Sequence, residues 1–123
     1  MTAHPPSVVP LQAERFHTTV DGRDTALFTL ANSNGMVVKF TNLGAKILQI
    51  IVPDRDGAMD DVALGYDSID SVLSGQASMG AFIGRYAGRV GGGKFTLNDK
   101  PYQLGVNSGG NSLHGGVDRK SVV

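Results

Sequence analysis

The stretch ALFTLANSNGMVVKFT, residues 26–41, decides the fold class. Residues 26–31 and 36–41 both read as strands. Successive side chains of a strand alternate between faces, so Phe28 and Leu30 share one face of the first strand. Met36, Val38 and Phe40 share one face of the second. Between the halves sits Asn32-Ser33-Asn34-Gly35. Asn-Gly accepts the positive φ angles of a tight reversal, which predicts a β-hairpin.

The pattern extends outward from this hairpin. Thr41-Asn42-Leu43-Gly44-Ala45 interrupts it as a turn or bulge. Residues 46–52, KILQIIV, are apolar at almost every position, as expected of an interior strand. Pro53-Asp54-Arg55-Asp56-Gly57 reads as a turn, and residues 61–66, DVALGY, as a further strand. Residues 67–75, DSIDSVLSG, form the one plausible helix. Ile69, Val72 and Leu73 stand at helical spacing, with Asp67 or Ser68 as the cap and Gly75 as the stop. GAFIG at 80–84 reads as a short buried strand. KFTL at 94–97 and PYQL at 101–104 frame a second hairpin around Asn98-Asp99-Lys100. Short, closely spaced strands of this kind predict an all-β, antiparallel sandwich or barrel.

Composition narrows the function. Eleven basic and eleven acidic residues cancel, which leaves no electrostatic footprint for nucleic acid or an acidic membrane. There is no cysteine, so thiolate chemistry and disulfides are excluded. That composition suits the cytoplasm. The start, MTAHPPSVVPLQAERFHTT, lacks a basic segment leading into an apolar run and does not read as a secretory signal. Pro5, Pro6 and Pro10 predict an extended or disordered arm over residues 1–15, followed by a single domain over 16–123. The longest apolar stretch is too short to span a bilayer.

Several motifs invite chemistry. Gly88-Arg89-Val90-Gly91-Gly92-Gly93-Lys94 satisfies the start of a phosphate-binding loop. The next position needs a hydroxyl for Mg²⁺ and is Phe95, and the segment leads into a hairpin where a helix is required. Asp54, Asp56, Asp60 and Asp61 resemble a calcium loop in number only. Gly57 comes too early and the closing glutamate is missing, so turn formation explains the acids better. His4 and His17 have no partners at metal-ligand spacing. His114 stands in Asn111-Ser112-Leu113-His114-Gly115-Gly116, where glycines let backbone and ligand approach closely. Spacing alone still favours a structural loop histidine there. Arg85 and Arg89 share a face whether their segment is helical or extended, and an arginine fork can donate to sugar hydroxyls.

Taken in order, these pieces resemble the aldose 1-epimerase family. The resemblance rests on Asn42-Leu43-Gly44-Ala45, Val52-Pro53-Asp54, Asp61 to Tyr66, Gly80 to Arg85, Asn107 and Asn111 to Gly116, and runs from about residue 26 to residue 116. It implies part of a large antiparallel β-sandwich, truncated in this chain. It also implies interconversion of the α and β anomers of galactose, glucose or a similar aldose. In the family a carboxylate base takes the C1 hydroxyl proton while a histidine acid protonates the ring oxygen, with no metal or organic cofactor. Opening, rotation and closure then give the other anomer, by paired acid–base catalysis.

Residue by residue, His114 matches the family histidine that contacts sugar, and Arg89 the arginine that also binds it. The position before that arginine, usually asparagine in the family, is Gly88. The family's catalytic histidine and glutamate, and a substrate-binding aspartate, are expected beyond Val123, so no catalytic residue is expected within this chain. After Gly116 the usual Gly-Phe-Asp continuation is replaced by Val117-Asp118-Arg119-Lys120. Glu14 is the only glutamate present. A piece of the sandwich would leave sheet edges unpaired and one inner face uncovered, a template for self-association. Two further readings are a non-catalytic sugar-binding β module and a purely structural association piece.

Overall fold

The computed structural model describes residues 8–75 and 77–116. They fall into two compact units that divide between Phe82 and Ile83.

In the first unit, Ala13–Phe16 form a short 3-10 helix. Strands β1 (Thr18–Val20) and β2 (Arg23–Thr25) form a small antiparallel hairpin. Then β3 (Leu27–Ala31), β4 (Val37–Thr41), β5 (Lys46–Pro53) and β6 (Met59–Asp61) form one four-stranded antiparallel sheet in sequential order. Helix α1 (Ile69–Ser74) follows.

The β3–β4 hairpin forms with Phe28 opposite Phe40 and Leu30 opposite Val38. The two phenyl rings stack at 5.5 Å. Its loop is longer than a two-residue reversal. Asn32 Oδ1 accepts from the amides of Asn34 and Met36, and Gly35 closes the turn on the Asn32 carbonyl. The β5–β6 connection repeats this design: Asp54 Oδ1 accepts from Asp56 and Ala58, and Gly57 donates to the Asp54 carbonyl. A side-chain oxygen replacing a strand partner is what Asn and Asp do best in turns. The role of Asp54 is thus to build a turn.

Strand β5 lies inside the sheet, as its apolar run predicts, but only one of its faces is buried. The register shifts where β4 passes from Lys39 to Phe40, against Ile47 and Gln49 of β5, so Leu48 is an extra residue in the ladder. Such a bulge rotates a strand locally. Leu48, Gln49 and Ile51 are all buried. Leu48 joins Phe16, Leu43 and Ile69 in the core, with Leu11, Val20, Leu27, Tyr66 and Val72 around them. The opposite face carries Phe28, Leu30 and Ile47, which remain 43%, 62% and 37% exposed.

Of the arm expected over residues 1–15, residues 1–7 lie outside the described residues. Leu11 packs on the core, and the Val9 carbonyl accepts from Gln49 Nε2 at 2.8 Å. The segment from Val9 onward therefore belongs to the first unit. Pro10 keeps it extended without a ladder, and Leu11 anchors it on the core beside Phe16.

Two strands expected from the sequence are corrected. The one at residues 61–66 ends at Asp61. The Asp61 carboxylate accepts from the amides of Ile50 and Ala63, which closes the ladder and turns the chain away. Val62 and Leu64 then point to solvent. GAFIG at 80–84 is neither a strand nor buried: Phe82 is 79% exposed, and the unit boundary falls within it. Gly80 gives its carbonyl to the Ile47 amide but adopts a positive φ of 64°, which interrupts extension.

The helix stands where its signals put it. Ser68 is the cap, accepting from the Ser71 amide, and Gly75 ends it. Asp67 accepts from the Ser71 hydroxyl and pairs with Arg15 at 3.0 Å. The hydroxyl first, and then the guanidinium, hold its carboxyl below the usual carboxylate range. No helix among the described residues is long and apolar enough to cross a membrane.

Candidate functional site

The second unit carries both residues expected to contact sugar. Its elements are β7 (Arg89–Val90), a 3-10 turn at Gly91–Gly93, β8 (Lys94–Leu97), β9 (Lys100–Gln103) and β10 (Ser112–Leu113). The β8–β9 hairpin turns on Asn98 and Asp99, at φ 50° and 59°. Two consecutive positive φ values define the reversal best suited to strand twist, and Asn and Asp tolerate them. Phe95 and Tyr102 stack across the hairpin at 5.0 Å, with Tyr86 tilted against Phe95 at 6.4 Å. The segment resembling a phosphate-binding loop is therefore β7, the 3-10 turn and the start of β8, with no helix to meet a phosphate.

Strand β10 pairs antiparallel with β7, Ser112 opposite Val90 and Leu113 opposite Arg89. The next pair is His114 with Gly88. The His114 amide donates to the Gly88 carbonyl at 2.9 Å, and the Gly88 amide donates back to His114 Nδ1 at 3.1 Å. His114 has a φ of 50°, which bends its side chain onto its own partner. Gly115 then lies against the Gly84 carbonyl. The His114-Gly115 step is thus seated along the segment Gly84 to Arg89.

Two asparagines hold this arrangement. Asn107 accepts from the Leu113 amide at 2.7 Å and donates to the Leu113 carbonyl at 3.0 Å. Asn111 Oδ1 accepts from the Gly92 amide at 3.1 Å. The turn Ser108–Asn111 joins them. Arg89 and His114 therefore occupy adjacent register positions on paired strands. Arg85 and Arg89 are both solvent-exposed, and neither forms a salt bridge among the described residues. No group of three metal-ligating side chains occurs among the described residues.

The sequence pointed to Arg89 and His114 separately. It did not indicate that Asn107 grips the strand between them. Its signals were its place in the resemblance and the turn-rich run Asn107-Ser108-Gly109-Gly110-Asn111, neither of which shows a side chain replacing a strand partner.

Fold and site define an antiparallel all-β protein that carries an arginine and a histidine on a glycine-rich strand pair. The aldose 1-epimerase family model matches residues 26–121, and the chain belongs to that family. It is 44% identical to the galactose mutarotase of Bos taurus over 85 residues, covering 69% of this chain and 25% of that protein. It is 38% identical to the aldose 1-epimerase of Escherichia coli (strain K12) over 98 residues, covering 80% of this chain and 28% of that one. The crystal structure of galactose 1-epimerase from Lactobacillus acidophilus NCFM superposes with a TM-score of 0.71 at 31% identity, over 86% of this chain and 31% of that one. The chain thus spans about a quarter of the length of the curated relatives it matches.

Proposed function

We propose that this chain supplies the sugar-contacting part of an aldose 1-epimerase site, with Arg89 and His114 as its ligand contacts. The pairing of His114 with Gly88, one step from Arg89, carries this reading. Names of relatives that act on galactose or on aldoses in general support the substrate class. The acid–base pair of the reaction has no counterpart in this chain: Glu14 is its only glutamate, and it lies in the 3-10 helix of the first unit. Alone, the chain binds an aldose without accelerating anomer exchange. The cysteine-free composition suits a cytoplasmic setting.

Galactose titration followed by calorimetry is expected to saturate. Arg89→Ala is expected to weaken binding about 10- to 150-fold, the loss of roughly 1.5–3 kcal/mol in charge-assisted hydrogen bonding. A flat wild-type titration overturns the binding role. Polarimetry on fresh α-galactose is expected to follow the spontaneous rate; acceleration abolished by His114→Ala overturns the non-catalytic reading.

The exposed face formed by Phe28, Leu30 and Ile47 favours a second property, self-association. Strand β3, at one edge of the sheet, adds a row of backbone groups with no second strand partner among the described residues. Gel filtration should show an apparent mass that rises with concentration, and Leu30→Lys should suppress the rise. A concentration-independent monomer removes the idea.

A further inference from the structure

We propose that Asn107 is a positioning residue that, through Leu113 and the Gly88 amide, commits His114 to the tautomer protonated at Nε2. The histidine then meets its ligand only as a hydrogen-bond donor. The tautomer and the clamp stand without the sugar reading; only the ligand's identity rests on it.

A neutral imidazole has one donor nitrogen and one acceptor nitrogen. Gly88 donates its amide to His114 Nδ1 at 3.1 Å, so Nδ1 holds the lone pair and the proton sits on Nε2. The reverse tautomer would set two N–H groups against each other. It would also leave the Gly88 amide without its protein partner.

The pairing depends on the height of His114 along β7. Beyond Leu113 and Arg89 there is no further ladder pair in β10, only His114 against Gly88. A two-residue strand cannot fix that register alone. Asn107 fixes it from the other side, holding both the amide and the carbonyl of Leu113 as a neighbouring strand would. Its own amide donates to the Asn111 carbonyl at 3.0 Å, so the clamp is anchored in the turn that feeds β10.

Two consequences follow for the site. With Nδ1 occupied, the neutral ring has no free lone pair and cannot act as a general base. His114 Nε2–H and the Arg89 guanidinium are both donors, so this part of the site selects a ligand rich in oxygen lone pairs, such as hydroxyl or ring ether oxygens.

Nitrogen-15 spectra of the His114 ring, recorded at about pH 8 to keep an ordinary histidine neutral, read the tautomer directly. Wild type is expected to show Nδ1 as the unprotonated nitrogen and Nε2 as the protonated one. The opposite pattern overturns the proposal. Asn107→Ala is expected to draw both resonances toward the averaged positions of a mixture. Unchanged shifts in a folded variant overturn the clamp. Asn107→Asp keeps the acceptor for the Leu113 amide and removes the donor to its carbonyl. It is expected to give a smaller displacement in the same direction, and it decides the matter where Asn107→Ala fails to fold. Galactose titration of the same samples separates the two ideas. The expected tautomer with no sugar binding sinks the functional reading and leaves the clamp standing. Sugar binding with the opposite tautomer does the reverse.

Discussion

Gly80→Ala is expected to destabilise the first unit by about 2–5 kcal/mol, the sum of a forced positive φ and overpacking against backbone. Gly80 sits at φ 64°, and a methyl group there would overlap the Ile47 carbonyl oxygen. The same residue gives its own carbonyl to the Ile47 amide at 2.9 Å. Relief by moving Gly80 away therefore breaks that bond. Moving Ile47 instead disturbs β5 beside its bulge, where Leu48 enters the core. Gly65 makes a matching approach to the Leu48 carbonyl, so two chain segments press on adjacent peptides of one strand. Gly35 separates the two terms. It has a φ of 92° but open space around it, so Gly35→Ala should cost only the conformational part, about 1–2 kcal/mol. Urea denaturation of the three proteins tests this. Equal midpoints for Gly80→Ala and Gly35→Ala would mean that the close approach carries no energy.

What could be read from the sequence follows the range of the interactions concerned. Both hairpins, the helix with its Ser68 cap and the interior position of β5 were legible, because alternation, turn chemistry and capping act within a few residues. The strand expected at 61–66 failed because Asp61 turns its carboxylate onto the Ile50 amide, eleven residues away, and ends the ladder. GAFIG failed because apolar content does not reveal whether a partner strand exists. Phe28 and Leu30 were correctly placed together on one face, yet pattern alone could not say that this face is the exposed one. At the site, Arg89 and His114 were visible as residue types in glycine-rich settings. Their alignment was not, because it depends on Asn107 and Gly88 through bonds spanning up to twenty-six residues.

Gly115→Ala is expected to abolish the histidine–glycine pairing and with it most galactose binding, while the first unit stays folded. A methyl group at Gly115 would overlap the Gly84 carbonyl oxygen and crowd the Arg85 amide, and the φ of 82° is itself unfavourable for alanine. The two terms sum to about 2–5 kcal/mol. The pairing cannot absorb that. It consists of two hydrogen bonds between His114 and Gly88, each worth about 1 kcal/mol net. The cheapest response is for the His114-Gly115 step to lift off the Gly84–Arg89 segment, which frees the imidazole and separates it from Arg89. Gly88→Ala provides the contrast. Gly88 has a φ of 69° with open space around it, so alanine there should cost about 1–2 kcal/mol and leave the pairing formed. Asparagine, which tolerates that conformation better, should cost less still and add an amide beside Arg89. Calorimetry with galactose should therefore rank Gly88→Asn and Gly88→Ala near wild type and Gly115→Ala at least tenfold weaker. Amide spectra should show the Gly115→Ala changes concentrated around Gly84, Gly88 and His114. A Gly115→Ala protein with wild-type affinity would show that the seat on Gly84 does not position the histidine.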